Sequence, residues 1–504
     1  MDSVTRMEKL KTEIEGFDLI SNGGLPKGRT TLLAGSAGSG KTVFAVQFLA
    51  EGIKKADENA VFITFEESPE DIRKNMASLG WEIPKWEKEH KWAFVDVSPQ
   101  VGTENMVVGS FDLGALLARI ENAVRSVNAK RVSMDSLGAI FNRLENPNMI
   151  RSELFRIASA LKSMGVTAIM TAERSEEYGE ITKSGVEEFV ADNVIILRNV
   201  LEDEKRRRTI EILKFRGTSH QKGEFPFTLL HGGGAVVIPL SAIELKQKSS
   251  NIRVSSGNKE LDSMCGGGFF RDSIILVSGA TGTGKTLTVT QFMEGGVRNN
   301  DKCLLFAFEE SREQLIRNAE GWGVDFEQME KDGFLKLICE YPETSSLEDR
   351  LINMQDVIKS FKPNRIVVDS LSALERVSSS KGFREFVIGL TSFIKHRETV
   401  GIFTSTTPTL MGGSSVTEAH ISTLTDSIIL LRYVEIYGEM RRGITVLKMR
   451  GSQHDKVIRE FSIDGNGMHI GNPFRNIVGI LSGNPVHVSA DETERLGSMF
   501  KDSD

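Results

Sequence analysis

The chain of 504 residues carries 62 Lys and Arg against 69 Asp and Glu, a net charge of −7, with 26% charged and 39% hydrophobic residues. That length exceeds what one hydrophobic core supports and predicts two or three domains of ordinary globular composition. The acidic balance opposes non-specific nucleic-acid binding, which needs a concentrated excess of basic residues.

The N-terminal stretch 1–16 is amphipathic and charged, without the apolar core of a signal peptide. No apolar run approaches a membrane span. Cys265, Cys303 and Cys339 form no CxxC pair and have no clustered His, so neither a disulfide framework nor a zinc site is expected. The expected compartment is a reducing cytoplasm. The one basic run, Lys205-Arg206-Arg207-Arg208, reads as a solvated strand end.

Short apolar runs alternate with amphipathic stretches, the pattern of a mostly parallel sheet covered by helices. In chain order the strand-like runs are 30–34, 60–65, 131–135, 166–171 and 193–197, and then 273–277, 303–308, 365–369, 401–405 and 427–431. The second set repeats the first. Gly35-Ser36-Ala37-Gly38-Ser39-Gly40-Lys41-Thr42 recurs as Gly279-Ala280-Thr281-Gly282-Thr283-Gly284-Lys285-Thr286, an offset of 244 (285 − 41). The acidic segment ending at Ser68 recurs at Ser311, an offset of 243, and the segment ending Asp135-Ser136 recurs as Asp369-Ser370, an offset of 234. The first copy therefore carries an insertion of about ten residues, placed near 98–106. Repeats of this length are duplicated domains, since solenoid units run to about 20–50 residues.

Each motif has a chemistry. In GxxxxGK[ST] the backbone N–H groups wrap phosphates, Lys reaches the β- and γ-phosphates, and the hydroxyl ligates Mg²⁺. This makes residues 35–42 and 279–286 ATP sites, with Thr42 and Thr286 on the metal. Asp135 and Asp369 each close a strand, where a carboxylate holds the metal's water shell. Glu66-Glu67 and Glu309-Glu310 follow the second strand of each copy and suit general-base work on water or a hydroxyl. Strand alternation predicts that one of each pair faces the nucleotide.

A third pattern closes each copy: Lys214, Arg216, Thr218 and His220, and then Lys448, Arg450, Ser452 and His454. Alternation puts Lys and Arg on one face, with no acid between them. Such a fork suits a phosphate bound by a neighbouring subunit, hence a ring with head-to-tail interfaces.

With these motifs the chain resembles the KaiC family of circadian clock proteins over nearly its whole length. The specific segments are IEGFDLISNGGLP (14–26), EYGEITKSGVEEFVADNVIILRNVLE (177–202), GTSHQKGEFPFT (217–228), VSSGNKELDSMCGGGFFRDSIIL (254–276) and EAHISTLTDSIILLRYVE (418–435). The resemblance implies an α/β fold of two tandem RecA-like P-loop domains in a homohexameric double ring. An ATPase domain would occupy 1–240, a linker 241–252, an autokinase and autophosphatase domain 253–488, and a tail 489–504. It implies that the KxRG residues contact a neighbour's nucleotide, and that Ser422 and Thr423 accept phosphate. At the offset of 234 these face Glu188 and Phe189, so the first copy has no hydroxyl there. Arg376, Arg384 and Arg432 are candidate partners for the added phosphate charge. A KaiB-type partner would dock on the N-terminal ring. A KaiA-type partner engages the tail in the family, but here residues 489–504 are short and diverged, which counts against it. Rival readings are a RecA-like DNA-stimulated ATPase and a nucleotide-gated signalling scaffold; the net charge opposes the first, the intact Glu pairs the second.

Overall fold

The computed structural model describes residues 7–98, 113–141, 147–182, 187–202, 205–239, 249–407, 421–475, 477–480 and 486–487. The chain divides into two compact units, Met1–Ile243 and Glu244–Asp504. Most of the insertion expected at 98–106, residues 241–248 of the expected linker and the whole tail 489–504 lie outside the described residues.

In the first unit, β1 (Thr30–Gly35) leads through the glycine-rich loop into α1 (Lys41–Ala56). There follow β2 (Ala60–Thr64), α2 (Pro69–Ala77), β3 (Trp92–Asp96), α3 (Leu113–Val127), β4 (Arg131–Asp135), α4 (Pro147–Ser163) and β5 (Thr167–Glu173). The unit closes with β6 (Asn193–Glu202), β7 (Lys205–Phe215), β8 (Glu224–Leu230) and β9 (Gly234–Val237). They form a nine-stranded sheet in the order β3-β2-β4-β5-β1-β6-β7-β8-β9, parallel from β3 to β6 and antiparallel beyond.

The second unit repeats this. Its elements are β10 (Ile274–Gly279), α5 (Lys285–Arg298), β11 (Cys303–Ala307), α6 (Arg312–Glu320), β12 (Leu335–Cys339), α7 (Leu347–Phe361) and β13 (Arg365–Asp369). After them come α8 (Ser380–His396), β14 (Val400–Thr406), β15 (Ser427–Ile436), β16 (Glu439–Met449), β17 (Arg459–Asp464) and β18 (Gly467–Pro473). The strand order is β12-β11-β13-β14-β10-β15-β16-β17-β18, the same topology strand for strand.

Both faces of the parallel strands are buried, as helix crossovers require. In the first unit Leu33, Phe62, Ile169 and Ile195 enter one core, while Leu32, Val61, Val132, Met170 and Val194 enter the other. This is why the strands read as near-continuous apolar runs. The basic run 205–208 opens β7 and is less solvated than expected: Arg206 donates to Asn199 O at 2.7 Å and Arg208 to the loop carbonyl of Gly38 at 3.3 Å.

A buried arginine ties the P-loop helix to the strand bearing the site aspartate in each unit. Arg131 and Arg365 are each 1% exposed. Arg131 donates to Glu58 Oε2 at 2.7 Å, Phe48 O at 2.8 Å and Lys11 O at 2.8 Å. Arg365 donates to Asp301 Oδ2 at 2.9 Å, Phe292 O at 2.9 Å and Ser255 O at 2.8 Å. The guanidinium fits because the helix offers glycine there: a Cβ on Gly52 would stand 2.3 Å from Arg131 Nε. Gly52→Ala is expected to cost about 3 kcal/mol, because it displaces a buried charge from its partners. Urea unfolding of the variant, followed by tryptophan fluorescence, checks this. A midpoint equal to that of the parent would show that the arginine is no staple.

Candidate functional site

Each glycine-rich loop passes into its helix through a glycine in the left-handed region, Gly40 (φ 93°) and Gly284 (φ 104°). A side chain would be strained at that φ, so the turn that exposes the first N–H groups of the helix requires glycine. The loop lysines fold across their own loops. Lys41 Nζ donates to Gly35 O at 3.0 Å and Ser36 O at 2.9 Å; Lys285 Nζ donates to Gly279 O at 2.8 Å and Ala280 O at 3.0 Å. Burial pushes the Lys285 ammonium below its ordinary pKa, which strengthens its preference for an anion.

The structure brings the other predicted residues to the same place. Thr42 Oγ1 donates to Asp135 Oδ2 at 2.6 Å, and Thr286 Oγ1 to Asp369 Oδ2 at 3.1 Å. The second oxygen of each carboxylate accepts from a threonine on the neighbouring strand, Thr171 or Thr404. Asp369 opens on the cavity yet is surrounded by protein, and desolvation raises its pKa against the hydrogen bonds from Thr404 and Thr286. A hydroxyl and a carboxylate meeting at the mouth of a phosphate loop are hard oxygen donors that fit Mg²⁺ and its water shell.

The glutamate pairs depart from the one-faced expectation. Strands β2 and β11 end at Thr64 and Ala307, so each pair sits in the bend beyond, where strand alternation no longer applies. In the second unit both Glu309 and Glu310 line a cavity of about 280 Å³, with Thr281, Lys285, Thr286 and Asp369. The two carboxylates are held differently. Glu66 Oε1 accepts from Ser136 Oγ at 2.6 Å and Glu309 Oε2 from Ser370 Oγ at 3.0 Å, each serine following the site aspartate. The second carboxylate accepts from an asparagine, Glu67 from Asn75 at 3.2 Å and Glu310 from Asn318 at 3.0 Å. Ser68 and Ser311 cap the helices that carry those asparagines. Burial, reinforced by Asp135 or Asp369, raises the pKa of Glu67 and of Glu310, which improves either as a proton acceptor.

The KxRG residues lie elsewhere. On β6, Leu197 pairs with Gly35 of the loop, whereas Val194 pairs with Lys214. On β15, Leu431 pairs with Gly279 and Ser427 with Ile275, four residues apart and thus about 13 Å along the strand. The fork therefore sits at the edge of the sheet opposite its own phosphate loop. A β-bulge precedes each lysine, at Leu213 and Leu447, and re-aims the side chain. Lys214 Nζ donates to Glu188 O at 2.9 Å and Ala191 O at 2.8 Å. Lys448 Nζ donates to Ser422 O at 2.8 Å and Thr425 O at 2.7 Å. The positive pair is also less naked than its sequence implies, since Asp192 lies 3.9 Å from Arg216 and Asp426 lies 3.9 Å from Arg450. Burial, then the adjacent arginine, lowers the pKa of Lys214 and Lys448. His220 Nδ1 is 2.9 Å from Gln221 O, and Ser452 Oγ accepts from Arg253 at 2.6 Å. Thr218 and His454 lie in the loops that follow the two forks.

Ser422 and Thr423 lie in a 3₁₀ turn, Ile421–Thr423. Side chains there step by about 120°. Ser422 is half-buried and Thr423 exposed, so the two hydroxyls remain inequivalent. Of the arginines considered for them, Arg376 pairs with Glu309 Oε1 at 2.6 Å, and Arg432 is buried on β15.

The comparisons come down on the same side as the geometry. The family described as "ATPase: KaiC" matches residues 10–242 and again 254–474. The chain belongs to the KaiC family. It is 70% identical over 494 residues to "Circadian clock protein KaiC3" of Synechocystis sp. (strain ATCC 27184 / PCC 6803 / Kazusa), covering 98% of each chain. It is 55% identical to "Circadian clock oscillator protein KaiC" of Thermostichus vulcanus, over 99% of this chain and 96% of that one. The protein of the same name from Synechococcus elongatus is 54% identical, over 98% and 95%. Both units of this KaiC-family chain thus carry a family ATPase domain with its nucleotide site. No helix among the described residues is long and apolar enough to cross a membrane.

Sequence reasoning missed three supports of that site. Asn75 and Asn318 keep the offset of 243 and were detectable by it (318 − 75). Thr171 and Thr404 were hidden inside strands. Glu177 opens the family-like segment 177–202 but was given no role there: it accepts from Ser36 Oγ at 2.5 Å and from the Asn199 N–H at 3.0 Å, on the first loop, where the second has Ala280.

Proposed function

We propose that this chain is a ring-forming, Mg²⁺-dependent ATPase whose second half also phosphorylates itself on Ser422 and Thr423 and removes those phosphates again. In this reading it is a timing component of a circadian-type clock, as the names of its relatives describe those proteins. Residues 1–240 hydrolyse ATP, 241–252 link, and 253–488 act as kinase and phosphatase. Thr42 with Asp135, and Thr286 with Asp369, would hold magnesium, which when bound would supply positive charge against the phosphates. The first glutamate of each pair is fixed by a serine, and the second, with its raised pKa, accepts the proton of water in one unit and of a side-chain hydroxyl in the other.

The observation that carries the reading is the position of the acceptor turn. Ser422 and Thr423 precede β15, at the sheet edge opposite their own phosphate loop, about 13 Å or more along the strand. In-line phosphoryl transfer needs the hydroxyl within about 3–3.5 Å of the phosphorus. Transfer within one subunit is thereby disfavoured, and transfer to the turn of an adjoining subunit is favoured. Arg216 and Arg450 share that edge, as a finger reaching a neighbour's phosphate requires. A homohexamer satisfies this arrangement, with a KaiB-like protein as partner of the N-terminal ring. Sedimentation with Mg·ATP is expected to give a six-subunit species, and incubation with γ-labelled ATP to give both free and protein-bound phosphate. A protein that labels itself while remaining monomeric would overturn the ring.

A further inference from the structure

The fork does something within its own chain that a finger aimed only at a neighbour would not. In the second unit Lys448 spans the turn that carries the two hydroxyls, donating to Ser422 O at 2.8 Å and Thr425 O at 2.7 Å. Arg450 donates to Thr423 O at 3.0 Å. The turn is closed by Leu424 N–H donating to Ile421 O at 2.8 Å, and it is pinned to the sheet by Asp426 N–H donating to Ile274 O at 2.9 Å. The Asp426 carboxylate in turn takes Lys395 at 2.7 Å. The lysine part of this arrangement recurs in the first unit residue for residue. Lys214 spans Glu188 O and Ala191 O, each at the offset of 234 from Ser422 and Thr425.

From this we infer that Lys448 and Arg450 are positioning residues for phosphorylation. They clamp the acceptor turn by its backbone carbonyls and so fix where the Ser422 and Thr423 hydroxyls stand. The inference rests on the proposal that these hydroxyls accept phosphate. An ammonium has three donors, and the two carbonyls use two of them. Among the described residues nothing else accepts from the third, which leaves it for an oxygen from outside the subunit. A phosphate oxygen on a neighbour's nucleotide would then touch the same nitrogen that holds the Ser422 carbonyl. Gain or loss of that phosphate would be felt directly at the acceptor turn. In the first unit Lys214 holds the carbonyls of Glu188 and Ala191, and neither residue carries a hydroxyl, so there the lysine has no acceptor to position. The carbonyls also explain why a lysine serves: two acceptors at one point suit a compact ammonium better than a planar guanidinium.

The test uses the full chain and has two arms. Hydrogen–deuterium exchange is measured on nucleotide-free protein for peptides spanning 421–426. Lys448→Met is expected to speed exchange of the Leu424 amide about ten-fold or more, because the turn loses both cross-links. Phosphopeptide analysis after incubation with Mg·ATP then compares the share of phosphate on Ser422 with that on Thr423. The variant is expected to shift that share at least several-fold, whereas a residue that only supports the fold would lower both sites together. Lys448→Arg should restore part of the protection. If Lys448→Met does not fold, Arg450→Gln, whose side chain is half exposed, must raise exchange at the same turn. Unchanged exchange in the variant that folds overturns the clamp. An unshifted site ratio alongside faster exchange overturns the positioning role. A parent protein with no phosphate at either residue would overturn the kinase reading instead, while leaving the exchange result to stand.

Discussion

Replacing Glu66 and Glu67 together by Gln is expected to lower ATP hydrolysis about 10²-fold or more while leaving nucleotide binding and assembly intact. Gln keeps the shape and can still meet Ser136 and Asn75, but it cannot take a proton. The corresponding change, Glu309→Gln with Glu310→Gln, is expected to remove phosphorylation and spare most hydrolysis. The reason is the difference in acceptor: the first unit has Glu188 and Phe189 where the second has the hydroxyls of Ser422 and Thr423. Release of phosphate and labelling of the protein, measured on both variants, check the division. Equal loss of both activities in both variants would show that the labour is shared. The pH dependence follows from the same carboxylates. Burial, with Asp135 or Asp369 beside it, lifts Glu67 and Glu310 above the ordinary range. A base with a raised pKa is fully active above that value and is lost as pH falls through it. The acid limb of both activities should therefore lie above about pH 4.3, the ordinary value for Glu.

The second large effect concerns the acceptors. Ser422→Ala combined with Thr423→Ala is expected to abolish ATP-derived phosphate on the protein and to leave hydrolysis by the first unit largely intact. Neither hydroxyl holds the fork, which grips backbone carbonyls that alanine retains. The change thus removes the nucleophiles without removing the clamp. The single variants should differ, because Ser422 is half-buried and Thr423 exposed. The first phosphate brings a charge of about −1.5 to −2. It arrives beside Lys448 and Arg450, so it also alters the field in which the second hydroxyl reacts. Undiminished labelling of the double variant would place the acceptor elsewhere.

Much of this was legible in the sequence because the chain states it twice. The repeat of the glycine-rich loop, of Asp135 as Asp369 and of Lys214 as Lys448 singled out each of these residues without any coordinates, and five strand runs in each copy gave five of the six parallel strands. What escaped was what depends on where strands end and which edges meet. The bend that places both Glu309 and Glu310 on the cavity follows from β11 stopping at Ala307, which apolar periodicity extended by one residue to Phe308. The edge strands β3 and β12 and the antiparallel strands β7 and β8 mix polar and apolar residues, and β9 is only four residues long, so their pairing emerged only from the fold. The fork's hold on Ser422 and Thr425 uses carbonyl oxygens, which every residue has and no sequence pattern can mark.

The central claim is that one ATP-binding machine is used twice with different acceptors, water in the first unit and the Ser422–Thr423 turn in the second. Phosphopeptide mass spectrometry on the pure protein after incubation with Mg·ATP tests it most directly. The account predicts phosphate on the peptide spanning 421–426 at Ser422 and Thr423, and none on the peptide spanning 187–192. Phosphate confined to other residues, or a protein that hydrolyses ATP in both halves and carries no phosphate, would contradict it.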